Sequence, residues 1–135
     1  MAFTGLNYLA IVIATILGFG VGALWYMLFA KPWMAALGKT EAEIRANNAP
    51  TPYITAVVGN FILAIILAAV LKSLGAPLTV AGAVAIGFLL WLGFIVTTMA
   101  VNNAFGGRKT TLTAIDAGHW LAVVIVMSIV IALLG

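Results

Sequence analysis

The chain has 135 residues, of which 65% are hydrophobic and 7% charged, where an ordinary water-soluble domain carries about a quarter charged residues. That composition excludes a soluble globular fold and marks an integral membrane protein. The net charge of +3 does not point to nucleic acid: Lys31, Lys39, Arg45, Arg108 and Lys109 fall in two loops and form no basic stripe interleaved with aromatics.

Cysteine is absent, which removes disulfides, thiolate metal ligands, cysteine nucleophiles and sites for acylation or prenylation. The amino-terminal stretch up to Asn7 has no basic region, and the apolar run after it outlasts the roughly 7 to 15 residues of a signal peptide core. The first segment is therefore expected to be a retained span. The partner so implied is the lipid bilayer, with no nucleic acid and no cofactor.

Four apolar runs are long enough to cross a hydrocarbon core, which takes about 20 helical residues: 6–30, 53–72, 78–103 and 113–134. None alternates with period two, so a β-barrel is excluded. The expected fold is all-α: a single-domain membrane four-helix bundle of two antiparallel hairpins, with a short interfacial helix between spans one and two.

In chain order, Ala14, Gly18 and Gly22 recur every four residues on span one. Such a row lets another backbone approach closely, and in lipid that packing replaces the missing hydrophobic drive. Span one ends in Trp25 and Tyr26, and Trp25, Trp33 and Trp120 read as interfacial anchors. Lys31-Pro32 ends or kinks the helix, Gly38 stops the next turn, and Thr40-x-x-Glu43 is a capping box opening a short polar helix. Residues 47–52 end that helix. Span two places Asn60 in a seam of Ala56, Ala64 and Ala68, where an amide is expected to bond across helices for about 1 kcal/mol. Lys72, Gly75 and Pro77 close it, and the short turn predicts that spans two and three are neighbours. Thr79, Ala83 and Gly87 form a row on span three, whose far end places Thr98 and Asn102 on one face. After the basic turn 106–109, span four carries Ala114, Gly118 and Ala122. These rows predict a tight bundle that also associates with further copies or with other membrane proteins.

Loops after spans one and three carry five basic residues and the loop after span two carries Lys72 alone. The bias places the former in the cytoplasm and both termini on the periplasmic or extracellular side of an inner membrane. At about 1.5 Å per residue, Tyr26, Asn60, Thr98, Asn102, Asp116 and His119 then share the cytoplasmic half. Asp116 and His119, three residues apart, lie on one helix face.

Thr113-x-x-Asp116 also fits a helix-opening cap, and His119 also fits a packed neutral histidine bonded to Asp116 or Asn60. The functional reading is a polar pocket in which Asp116 tunes His119 for proton or cation handling. A serine triad fails: Ser128 is nine residues from His119 along one helix, roughly 14 Å, and Ser73 belongs at the opposite membrane face. Two ligands are too few for a metal site. The chain is expected not to be an enzyme.

Gly22-Ala-Leu-Trp-Tyr26 followed by Lys31-Pro-Trp33, Trp91-Leu-Gly-Phe94 with Thr97-Thr98, and Asp116-Ala-Gly118 together resemble the bacterial membrane family known as domain of unknown function 1761. The resemblance spans nearly the whole chain and implies four helices and a longer first loop, but no activity. The leading functional expectation is a membrane interaction protein that oligomerises through its small-residue faces. The alternative is a small oligomeric transporter or channel that handles protons or small cations through the polar cluster.

Overall fold

The structure is a computed structural model that describes residues 2–75 and 78–135. Helices α1 (Tyr8–Leu28), α2 (Ala30–Leu37), α3 (Glu41–Ala46) and α4 (Thr51–Ser73) are followed by α5 (Val80–Leu90). A π-helical segment (Trp91–Val96) carries α5 without a break into α6 (Thr97–Phe105), and α7 (Thr110–Leu134) ends the fold. Four stretches are long and apolar enough to cross a membrane: Tyr8–Leu28, Thr51–Ser73, Val80–Phe105 and Thr110–Leu134. The protein is an all-α membrane protein.

Local chemistry sets the boundaries. The Asn7 side chain accepts the Ala10 N–H at 3.2 Å and opens α1. Pro32 has no N–H for the carbonyl one turn earlier, and the chain breaks at Phe29 before resuming as α2. Gly38, at φ +71°, stops α2 in the left-handed conformation that glycine adopts without strain. Thr40 caps α3 through the Glu43 N–H, and Glu41 pairs with Arg45 at 2.5 Å. Of residues 47–52, expected to end that helix, Asn47 caps its end, whereas Pro52 lies in the first turn of α4, where a missing N–H costs no helical bond. Thr79 caps α5 through the Gly82 N–H at 3.0 Å. Pro77, expected to help close span two, lies outside the described residues.

Helices α1 and α7 form the central pair, with α4 packed on α1, α5 on α7, and α2 folded back onto α7. The core between them holds Ile11, Ala14, Leu67, Leu71, Val123, Met127 and Ile131. Spans two and three touch little despite their short turn. No residue of α4 before Asn60 is buried, and none from Trp91 to Phe105. The bundle is therefore open on that side, with a groove of about 270 Å³ between Gly59 and Leu63 on one wall and Phe94 and Thr98 on the other.

The small-residue rows are used inside the chain. Ala14 and Ala83 are fully buried. A Cβ at Gly18 would lie 2.6 Å from Met127 Cε and 2.8 Å from Asn60 Oδ1, and one at Gly22 would lie 2.7 Å from His119 Nε2. Gly87 meets Ser128 and Val124 in the same way, and Gly118 meets the Trp25 ring. Gly20, on the outer face of α1, meets nothing within 4 Å. Gly18→Val and Gly22→Val should therefore each destabilise the protein by about 1–3 kcal/mol through overpacking. Melting in detergent is the measurement, and Gly20→Val should melt like the wild type.

Candidate functional site

The site is built on the first half of α7. Gly107, at φ +68°, reverses the chain after α6, and Lys109 is extended. The helix therefore starts at Thr110, three residues before the expected span, and no acid lies in its first turn. Asp116 is thus not a helix cap: it sits in the helix interior, half-buried. Thr113, its expected capping partner, instead accepts the Asn103 amide at 3.0 Å and ties α6 to α7.

Tyr26 reaches Asp116 from α1, its hydroxyl donating to Oδ1 at 2.6 Å. This is a short hydrogen bond between a phenol and a carboxyl group on facing helices. Two indoles fix the backbone on either side. Trp25, next to Tyr26, donates its N–H to the Ile115 carbonyl at 3.0 Å, and Trp91 donates to the Ala117 carbonyl at 2.8 Å. These carbonyls flank Asp116, and each has a second lone pair beyond the one used in the helix. The Trp25 ring lies against bare Gly118: a Cβ there would come within 2.8 Å of it.

His119 is buried one turn deeper, its ring 5.0 Å from Tyr26 and 4.6 Å from Trp120. The expected direct contact between Asp116 and His119 is not made; among the described residues the one ion pair is Glu41–Arg45. Tyr26 stands between them, with its hydroxyl on the acid and its ring on the imidazole. No group in the described residues partners His119 Nδ1.

Asn60 is 2% exposed, and its amide donates to the Ala56 carbonyl of its own helix at 2.8 Å. Its Oδ1 has no partner among the described residues, so the expected interhelical bond is absent there. The reason is what faces it: the bare Gly18 and the methyl end of Met127 crowd the same spot, and neither offers a donor. Thr98 and Asn102 are not brought to Asp116. Both are exposed, and Thr98 donates to the Phe94 carbonyl at 2.7 Å. The π-helical segment just before them shifts the register by about one residue, roughly 100° of helix face.

The tryptophans expected at membrane interfaces all have protein neighbours. Trp25 is bonded as above, Trp33 lies 5.5 Å from Tyr26, and Trp120 packs against both the core and His119. The grips of Trp25 and Trp91 on α7 do not follow from sequence reasoning. The one visible signal for the first is Gly118, a bare position on the opposing helix. Removing the hydroxyl in Tyr26→Phe should lower stability by about 1 kcal/mol, whereas Asn102→Ala should stay within about 0.5 kcal/mol of wild type. Equilibrium unfolding of both variants in one detergent measures this.

No curated protein and no solved structure matches the chain. A family model described as "Protein of unknown function (DUF1761)" matches residues 9–132. That stretch holds Trp25, Tyr26, Trp91, Asp116, Gly118 and His119, so the whole site lies within the matched sequence. The chain belongs to this family, DUF1761.

Proposed function

We propose that the protein is a non-enzymatic, multi-pass membrane protein that takes up a proton or a cation at Asp116 and passes it on. The observation that carries this reading is the state of Asp116: a half-buried carboxylate within a span, held by one phenol and paired with no cation among the described residues. An acid in a transmembrane helix is costly. If joining α1 to α7 were its whole task, a neutral amide or hydroxyl would serve. Among the described residues, His119 and Asn60 add two buried polar atoms without partners on the faces that meet α1, and such groups are costly to leave unpaired. Both serines that could act as nucleophiles are turned to their own helices: Ser128 to the Val124 carbonyl and Ser73 to the Ala69 carbonyl, each at 2.7 Å.

We place the protein in a bacterial inner membrane, and the loop charges support an orientation with the first and third loops cytoplasmic and both termini periplasmic or extracellular. The site would then face the cytoplasm. A second reading, assembly with further copies or with other membrane proteins, is favoured by the open side of the bundle. A Cβ at Gly59 or Gly93 would meet nothing within 4 Å, and Gly59 lines the groove. Association would then use that side, since the rows expected to carry it are filled within the chain.

The test of the first reading is acid-driven proton or cation uptake into proteoliposomes. Asp116→Asn should reduce uptake at least tenfold while the variant stays folded, and equal uptake by the two proteins would sink the reading. Mass measurement of the protein in lipid nanodiscs tests the second: Gly59→Leu with Gly93→Leu should shift the oligomer to smaller species.

A further inference from the structure

We propose that the cation taken by this site is a hydrophobic organic one, of the quaternary ammonium or phosphonium type, and not a metal ion. The inference rests on the reading of Asp116 as the cation-binding group and names the chemistry of what it binds.

The oxygen inventory comes first. A hard metal cation takes about six or more oxygen ligands. Around Asp116 the structure offers one carboxylate and the Tyr26 hydroxyl. The neighbouring carbonyls that could complete a shell, those of Ile115 and Ala117, already accept an indole N–H in addition to their helical bond. Thr98 is turned to its own backbone, and Asn60 Oδ1 lies against Gly18, a helical turn away from the Gly22–His119 contact. No three His, Cys, Asp or Glu side chains gather among the described residues.

The group that holds the carboxylate is itself aromatic, Tyr26, and further rings cluster around that phenol and the adjoining turn of α7. The Tyr26 ring lies 5.5 Å from Trp33 and 5.0 Å from His119, and the Trp25 ring lies 4.6 Å from Phe29, at a tilt of 35°, where α1 meets α2. Ring faces attract a cation through their quadrupole, and the attraction is strongest for cations that shed water easily. A single carboxylate held by one phenol in a cluster of rings suits a bulky, weakly hydrated cation better than a hard metal ion. Tyr26, Trp25, Trp33 and Asp116 are each half-buried, so the group is reachable from outside the bundle. Lys31, the nearest base on α2 in sequence, is exposed and forms no ion pair with Asp116. Among the described residues no basic side chain therefore competes with a ligand for Asp116.

The experiment is titration of the full chain in detergent with tetraphenylphosphonium, followed by tryptophan fluorescence and calorimetry, with sodium and potassium chloride in parallel. Saturable binding to the wild type is expected. It should weaken at least tenfold in Asp116→Asn and by about three- to tenfold in Trp33→Leu, recover in Trp33→Tyr, and be unchanged in Asn102→Ala. Equal binding by wild type and Asp116→Asn would overturn the proposal, because it marks partition into detergent only. So would a saturable response to sodium or potassium without one to tetraphenylphosphonium. If proton uptake depends on Asp116 while tetraphenylphosphonium does not bind, the organic-cation proposal falls and proton handling stands. If tetraphenylphosphonium binds at Asp116 while proton uptake does not depend on that residue, the organic-cation proposal stands and proton handling falls.

Discussion

The close approach of α1 to α7 is the constraint on which the rest of the molecule depends. Lipid is as apolar as leucine, so helices in a bilayer associate by fitting surfaces together and by pairing polar groups. Gly18 and Gly22 remove the Cβ atoms from one face of α1, and Asn60, Val123, Met127 and His119 fill the space. At the next turns of the same helix the fit changes from shape to hydrogen bonding. Trp25 reaches across to the Ile115 carbonyl, and Tyr26 reaches Asp116. The same crossing thus supplies both the packing of the bundle and the partner of its one intramembrane acid.

This arrangement explains why the polar groups are distributed as they are. Near the α2 end, α7 is held from two sides, by Trp25 on α1 and by Trp91 at the start of the π-helical segment. That segment swings Thr98 and Asn102 outward and leaves the groove between α4 and α6 unfilled. At the opposite end Asn7 donates to the Leu134 carbonyl at 2.7 Å and Lys72 donates to the Thr4 carbonyl, beside a cavity of about 330 Å³.

Much of the fold is legible in the sequence, because the bilayer imposes a simple length and polarity rule on each span. The four spans, the break at Phe29 one turn before Pro32, the glycine stop at Gly38 and the cap at Thr40 follow from local chemistry that no distant contact overrides. The site is legible in part. Asp116, His119 and Tyr26 stand out as polar groups in apolar runs, and the structure brings them together. Thr113-x-x-Asp116 has the spacing of a cap, yet the helix start is set upstream by the backbone at Gly107 and Lys109. Thr98 and Asn102 turn away from the site because an even helical period hides a π-helical turn. The tryptophan grips on α7 depend on which helix lies opposite which carbonyl, and composition carries no trace of that.

The pairing of Tyr26 with Asp116 is open to direct observation because Asp116 is the chain's one aspartate. The decisive measurement is solid-state NMR in lipid on protein labelled at the aspartate carboxyl carbon and the tyrosine ring carbon, diluted with unlabelled chains. A single carboxyl resonance with a dipolar coupling to one tyrosine is predicted. In Tyr26→Phe no tyrosine should couple to it, and the resonance should shift. A carboxyl carbon that couples to no tyrosine, and that resonates at the same position in wild type and Tyr26→Phe, would contradict the α1–α7 seam and the site built on it.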